Sequence, residues 1–158
     1  MSHLDPQNLL SILIKHKVPF VVIGGYAVNI HGYLRATEDI DIIFSRSEES
    51  EAQLFSALKE LGAKWVTNDI DPGTGLERAA DISLEYIKSK HVMLLETDLG
   101  YLDIFDYLPG APDKPLGEIF ESLILVKGIP FVNLFWLRFL KECSGRPKDQ
   151  DDLANLPE

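Results

Sequence analysis

The segment from Gly24 to Phe44, GGYAVNIHGYLRATEDIDIIF, contains residue types that could do chemistry. It begins with two glycines directly after an apolar run, and it ends with Asp39 and Asp41 inside a second apolar run. Because side chains alternate faces along a strand, these two aspartates share one face, with Cα atoms about 7 Å apart. Carboxylates that converge in this way suit a hard divalent cation, which takes oxygen ligands and keeps positions for a substrate's phosphates.

A third carboxylate, Asp103 in YLDIF, lies in a later apolar segment, where burial of a charge without a partner is unfavourable. Gly24 and Gly25 follow a strand and precede a helix, and such a turn offers bare backbone amides and a positive dipole end to an anion. Three carboxylates on strands near a glycine turn predict a metal-dependent site for phosphoryl or nucleotidyl transfer.

Each of these features also has a purely structural interpretation. A glycine pair after a strand is usually only a turn, and two alternating aspartates often form the wet face of an edge strand. Taken singly, the features favour that interpretation. Their combination with Asp103 favours a functional site.

Alternating helical and extended segments must position these residues. Cap residues, proline at a first helical position, apolar periodicity and terminal glycines mark the helices, while short β-branched runs mark the strands. The predicted elements are a helix from Pro6 to about His16 after the cap Asp5, a buried strand in VPFVVI, a short helix in YAVNIHGY, a strand in DIDIIF, a helix between Ser47 and Gly62, a strand in KWVT, and two strands in HVMLLETDLGYLDIFDY around the turn Thr97–Gly100.

Three other segments are less clearly patterned. NDIDPGTG is predicted to be a surface loop: Asp69 and Asp71 have the spacing of a calcium loop, but the glycine comes one position early and no glutamate follows at the required place. ERAADISLEYI is ambiguous between strand and helix. The tail from Leu116 onward is predicted to be mostly helical.

Composition indicates one compact domain over residues 1–158, because 46% hydrophobic residues in 158 suffice for one core but hardly for two. The formal net charge of −10 repels nucleic acid and anionic membranes, so a polyanion would need a local basic patch or bound cations. The single cysteine, Cys143, excludes an internal disulfide. The sequence has no long apolar run and no signal peptide, which predicts a cytoplasmic protein with no membrane partner.

One spaced motif consists of Gly24, Gly25, Ala27, Arg35, Thr37, Asp39, Asp41 and, much later, Asp103. This motif resembles the nucleotidyltransferase fold of the DNA polymerase beta superfamily, and most closely its small bacterial branch, which includes AbiEii-like toxins and uncharacterised nucleotidyltransferases. The tail LRFLKECSGRPKDQDDLANL is similar to the lysine-containing helix and Gly-Arg-x-Lys-Asp turn of that branch. The resemblance implies an α/β (α+β) fold with a mixed sheet flanked by helices.

The resemblance also implies an enzymatic role for the motif. Asp39 and Asp41 would hold two Mg²⁺ (or Mn²⁺) ions with Asp103 as a third ligand, and these three aspartates would be the catalytic residues. An acceptor hydroxyl would attack the α-phosphorus of a nucleoside triphosphate, and pyrophosphate would leave. The implied nucleotide-binding residues are Gly24, Gly25, Arg35, Thr37, Lys141 and Lys148.

Several roles stay open at this point. Arg35 could steer phosphate, clamp the aspartate loop or form a structural ion pair. Arg146 could add positive charge near the triphosphate. Asp149 and Asp152 are interpreted first as acidic residues of an ordinary helix start.

The sequence does not specify the acceptor, which could be RNA, a protein hydroxyl or a small molecule. The resemblance admits the toxin of a toxin–antitoxin pair, with an antitoxin-like protein partner. One alternative is an antibiotic-modifying nucleotidyltransferase, but those typically append a helical domain and the region after Asp103 is short. Another is a catalytically silent module that binds a nucleotide or a partner, against which the presence of all three aspartates argues.

Overall fold

The computed structural model describes residues 3–158, and within them the chain forms seven α-helices and eight β-strands. The helices are α1 Pro6–Lys15, α2 Gly24–Ile30, α3 Glu48–Glu60, α4 Leu84–Ser89, α5 Gly117–Glu121, α6 Leu134–Ser144 and α7 Pro147–Asn155. The strands are β1 Phe20–Ile23, β2 Asp39–Phe44, β3 Lys64–Ile70, β4 Glu77–Asp81, β5 Val92–Thr97, β6 Gly100–Phe105, β7 Ile124–Val126 and β8 Ile129–Phe131.

The eight strands form a single mixed sheet in the order β4-β3-β5-β6-β2-β1-β8-β7. Strand β2 lies inside the sheet, antiparallel to β1 and parallel to β6. Strand β1 is also parallel to β8, and the remaining pairs are antiparallel. The mixed sheet with accompanying helices confirms the predicted fold class.

Strands β2 and β6 have an apolar face and a face that carries the three aspartates. One face consists of apolar side chains that are fully buried: Ile40, Ile42, Leu102 and Ile104. Because strand side chains alternate, Asp39, Asp41 and Asp103 project from the other face, where they are only partly buried. The hydrophobic effect on the first face, about 1.5–3 kcal/mol per buried isoleucine or leucine, therefore determines which face presents the carboxylates.

Several predicted boundaries are confirmed, but the short helix predicted in YAVNIHGY begins earlier, at Gly24, and ends at Ile30. The side chain of Asp5 caps α1 by accepting a hydrogen bond from the backbone of Asn8, and Ser47 caps α3. The predicted strand DIDIIF coincides with β2, and β5 and β6 flank the predicted turn. Among the described residues, no helix combines the length and the apolar character needed to cross a membrane.

The predicted surface loop NDIDPGTG is wrong in its first three residues. Strand β3 continues through Asn68 to Ile70 and pairs with β4, so only the rest of the segment forms a turn. Backbone pairing with a neighbouring strand overrides the polar, turn-like composition there. The ambiguous segment ERAADISLEYI contains both a strand, β4, and a helix, α4.

The tail from Leu116 onward is mostly helical, as predicted, but a β-hairpin that was not predicted lies between α5 and α6. Lys127 and Gly128 both have positive φ, 52° and 79°, which is the backbone of a type I′ hairpin turn. The hairpin completes the sheet, since Phe131 in β8 pairs with Val22 in β1. The local pattern of three-residue strands was too short to indicate this long-range pairing.

Phe131→Ala tests whether the hairpin is an integral part of the core. Phe131 is buried and packs on Tyr26 with ring centroids 5.6 Å apart, whereas Leu125 in the same hairpin is exposed. We expect Phe131→Ala to lower the free energy of unfolding by about 3–5 kcal/mol, because it leaves a cavity. The matched control Leu125→Ala should change it by less than about 0.5 kcal/mol. Urea unfolding measures both, and equal effects would contradict the integration of the hairpin.

Candidate metal and nucleotide site

Three carboxylates converge on the partly exposed face of β2 and β6, which we call the open face of the sheet. One oxygen from each of Asp39, Asp41 and Asp103 lies within 4.8 Å of the other two. The cause is the strand register, because Asp41 in β2 is directly opposite Asp103 in β6, and Asp39 is two residues from Asp41. Carboxylates at this separation could hold a metal ion. The predicted convergence of the three aspartates is therefore observed.

The same convergence perturbs the acidity of two of the carboxyls. Burial, and then the negative charge of Asp39, raise the pKa of Asp41 to about 6. Burial, and then the negative charge of Asp41, raise the pKa of Asp103 to about 8, and hydrogen bonds from the protonated Asp103 to its two neighbours contribute. Without a cation, the cluster therefore retains a proton near neutral pH.

The glycine turn lies directly against this cluster. Ile23, the last residue of β1, is opposite Asp41 in the register, and Gly24 follows with a φ of 69°. A Cβ at Gly24 would collide with the Asp41 carboxylate. A Cβ at Gly25 would lie 2.8 Å from the Thr37 hydroxyl oxygen, tighter than real Cβ contacts. Only glycine fits both positions, because of the backbone conformation at Gly24 and of close packing at both.

Arg35 and Thr37 lie beside the turn and are held by contacts within the protein. The Arg35 guanidinium donates to both oxygens of Asp152, at 2.6 and 2.8 Å. The Thr37 hydroxyl donates to the backbone oxygen of Asp39 at 3.0 Å. Of the roles left open for Arg35, the ion pair is observed, and Arg35 and Thr37 both stabilise the loop that leads into β2.

A buried network of charges connects α6 and α7 behind the site. Lys141 is 6% exposed, and its ammonium group lies 3.1 Å from Asp149 and 2.9 Å from Asp152. Arg146 donates to Asp149 at 2.9 Å. Burial alone would raise the pKa of both aspartates, but hydrogen bonds from Arg146, Ser144 and Lys141 lower that of Asp149, and hydrogen bonds from Arg35 and Lys141 lower that of Asp152. Both are therefore ionised partners of the basic residues.

The interpretation of Asp149 and Asp152 as ordinary acids of a helix start was incomplete. Asp149 does accept a hydrogen bond from the backbone of Arg146 at the start of α7. Both aspartates, however, are 0% exposed. The signal that could have indicated this was their spacing of three residues, which places both on one face of α7, toward the lysine of α6.

Two clefts meet at the carboxylates. The smaller, of about 200 Å³, contains the glycine turn and the basic residues Arg35, Lys141, Arg146 and Lys148. The larger, of about 580 Å³, lies over β5 and β3 and shares Asp39, Asp103 and Lys148 with the first. The sequence analysis missed the larger cleft, whose further lining includes Glu38, Glu96 and Tyr101. Glu96 and Tyr101 are opposite each other in the β5–β6 register, which local patterns do not show.

No protein-family model matches the sequence, and the search of curated proteins found no match. Solved structures match the fold over nearly the whole chain. The lincomycin-bound lincosamide antibiotic adenylyltransferase LnuA is 17% identical with a TM-score of 0.57, over 98% of this chain and 97% of LnuA. The antibiotic-resistance factor ANT(2'')-Ia is 16% identical with a TM-score of 0.56, over 94% of this chain and 78% of its own.

A third match is an antigenic nucleotidyltransferase-like protein from Paracoccidioides brasiliensis, 16% identical with a TM-score of 0.51, over 96% of this chain and 74% of its own. At these identities the similarity concerns the fold alone. The chain therefore has the nucleotidyltransferase fold that the spaced glycine and aspartate motif predicted.

Asp103→Asn tests the electrostatic cost of the cluster in the metal-free protein. The folded-state pKa of Asp103 is raised from 3.8 to about 8, so the folded state binds more protons in that window. The stability from this group is therefore present at low pH and lost as the pH rises through about 8. We expect the variant to exceed the parent in stability at about pH 9, by an amount on the order of 1 kcal/mol, and to match it near pH 4.

Urea unfolding in the presence of a chelator measures this difference at each pH. Asp113→Asn, at an exposed position, is the matched control and should follow the parent at both pH values. If Asp103→Asn is less stable than the parent at the higher pH, the carboxylates do not repel one another.

Proposed function

We propose that the protein is a metal-dependent nucleotidyltransferase that moves a nucleoside monophosphate from a nucleoside triphosphate to an acceptor hydroxyl. The observation that carries this proposal is the cluster of Asp39, Asp41 and Asp103 on two parallel strands, in contact with a glycine turn. The nucleotidyltransferase fold supports it. We also propose that residues 1–158 act as one domain and that the protein works in the cytoplasm.

The cluster fits a divalent cation by the chemistry of its donors. Three carboxylates with oxygens within 4.8 Å of one another are the hard ligands that Mg²⁺ and Mn²⁺ take in proteins. Burial, and then the negative charge of a neighbouring aspartate, raise the pKa values of Asp41 and Asp103, and a bound cation would favour the ionised form of both. When bound there, Mg²⁺ would lower the pKa of an acceptor hydroxyl and neutralise charge on the phosphates.

The smaller cleft is the proposed site of the triphosphate. Gly24 and Gly25 would donate backbone N–H groups to its phosphates, because no side chain separates them from the cleft. Lys148 is exposed and supplies a positive charge at the junction of the two clefts. Arg35 and Lys141 would act on the phosphates mainly through their positive charge and not through direct hydrogen bonds, because Asp149 and Asp152 already accept their hydrogen bonds.

In the proposed reaction, the acceptor oxygen forms a bond to the α-phosphorus while the bond from that phosphorus to the β-phosphate oxygen breaks. The electron pair of the broken bond leaves with pyrophosphate, and the acceptor proton passes to Asp103 or to water. Asp103 suits this position because it lines both clefts. The role of this chain is to fix the two reactants in line and to concentrate complementary charge around them.

Antibiotic modification is a second candidate function. The objection that such enzymes append a helical domain loses its force, because this chain aligns with 97% of the lincosamide adenylyltransferase LnuA. A toxin with an antitoxin-like partner, acting on RNA or protein, rests on the sequence resemblance alone. Transfer of label from each radioactive triphosphate in a cell lysate would separate a macromolecular acceptor from a small one.

Nucleotide binding is expected to depend on a divalent cation. ATP in hundredfold excess over its dissociation constant should stabilise the protein by about 2.7 kcal/mol when Mg²⁺ is present, because only the folded state binds it. In chelator the stabilisation should be largely lost, since carboxylates and phosphates then repel. Thermal unfolding with each of the four triphosphates measures the effect and ranks the nucleotides.

The variants for this test are Asp41→Asn and the exposed control Asp113→Asn. Asp41→Asn should abolish both the Mg²⁺-dependent stabilisation and the transfer of labelled nucleotide, whereas Asp113→Asn should retain both. An equal stabilisation of the parent by ATP in chelator and in Mg²⁺ would contradict a metal-dependent nucleotide site.

A further inference from the structure

We propose that the larger cleft is the acceptor site and that it selects a small, positively charged molecule with an apolar face and a hydroxyl group. This inference rests on the proposed function and narrows its acceptor, which the sequence left open among RNA, protein and small molecules. It follows from the difference in charge and polarity between the two clefts that meet at the carboxylates.

The two clefts share Asp39, Asp103 and Lys148 but differ in their other charges. The smaller cleft adds three basic residues, Arg35, Lys141 and Arg146, against two acidic ones, Asp41 and Asp149, and this balance suits an anionic triphosphate. Apart from Lys148, the lining of the larger cleft adds no basic residue and instead adds two glutamates, Glu38 and Glu96. The anionic reactant therefore belongs on one side of the carboxylates, and a cationic one on the other.

Both glutamates are available to a ligand. Glu38 is exposed and Glu96 is partly buried, and within residues 3–158 neither forms a salt bridge nor a side-chain hydrogen bond. Lys64 is opposite Glu96 in the β3–β5 register, but its ammonium group lies 3.7 Å from Asp81 and does not line the cleft. An ammonium group of a ligand would thus find an uncompensated carboxylate at Glu96.

The part of the cleft wall beside the reacting centre is apolar. Leu94 is directly opposite Asp103 in the β5–β6 register and is 58% exposed, and Val66 on the neighbouring strand is 43% exposed. Two exposed apolar side chains on neighbouring strands form a small apolar patch, a feature that ligand-binding grooves present. They suit an acceptor that carries an apolar face beside its hydroxyl group.

The dimensions and the charge argue against RNA in this cleft. About 580 Å³ falls in the range of pockets for small molecules. A polyanion would meet Glu38 and Glu96 in addition to a net charge of −10 on the whole protein. The same negative electrostatic potential that repels RNA attracts a small cation.

A matched series of three probes tests this selection: phenylethanolamine, phenylethanediol and mandelate. Each has a phenyl ring and a hydroxyl group, but their charges near neutral pH are positive, zero and negative. Affinities are measured by NMR titration of the protein in complex with Mg²⁺ and a non-hydrolysable ATP analogue. We expect the amine to bind about tenfold more tightly than the diol, and mandelate more weakly than both.

Three variants locate the selection. Glu96→Gln should remove most of the preference for the amine over the diol, and Leu94→Ser should weaken both probes similarly. Glu77→Gln, an exposed glutamate on β4 outside the cleft, is the matched control and should keep the preference. Loss of the preference in Glu96→Gln with the diol affinity retained shows selection rather than loss of fold.

The same titration separates the two proposals. If the ATP analogue fails to bind in Mg²⁺, the proposed function fails, and with it the basis of this inference. If the analogue binds but the amine has no advantage over the diol, including the case in which no probe binds, the acceptor inference alone is overturned. Retention of the preference in Glu96→Gln, or tighter binding of a short RNA than of the amine, also overturns it.

Discussion

The constraint on which the site depends is the parallel register of β2 and β6, which places Asp41 directly opposite Asp103. The apolar residues between the aspartates must face the core, so the carboxylates have no alternative but to share the open face. Packing of the apolar face thus brings the acids close together. The free energy gained by burying that face offsets the repulsion between the carboxylates. Burial, and then the repulsion between the acids, raise the pKa of Asp103 to about 8 without a cation.

The charges behind the cluster partly balance it. Lys141 and Arg146 lower the pKa of Asp41 against the larger effects of burial and Asp39. These basic residues, with Arg35, are held by Asp149 and Asp152, so the network carries three positive and two negative charges. A buried network of this kind is weak evidence for added stability, but removal of one member leaves a buried charge unpaired and costs about 3–5 kcal/mol. Its consequence is to fix α7 and Lys148 beside the carboxylates.

The sequence predicted the parts of the site that are close along the chain or regular in period. The period of two in β2 predicted that Asp39 and Asp41 share a face, and Gly24 and Gly25 predicted a tight turn. Asp103 was recognised because its neighbours are apolar. These inferences needed only the geometry of a strand and the environment of a charge.

The missed features depend on contacts between distant segments. The β7–β8 hairpin has strands of three residues, and it is stabilised by pairing with β1 rather than by local propensity. The larger cleft is lined by residues at the start of β2 and by residues of β3 and β5. The buried Asp152 is paired with Arg35, which comes from a loop far away in sequence. Such properties follow from the strand order, which a single sequence does not encode in any local pattern.

The central claim is that the three carboxylates and the glycine turn form one site for a metal-bound triphosphate. Anomalous diffraction from crystals grown with Mn²⁺ and a non-hydrolysable ATP analogue tests it most directly. We expect manganese peaks bound by Asp39, Asp41 and Asp103, with the phosphates against the backbone of Gly24 and Gly25. Manganese bound elsewhere, or a triphosphate that avoids the glycine turn while all three carboxylates stay metal-free, would contradict the account.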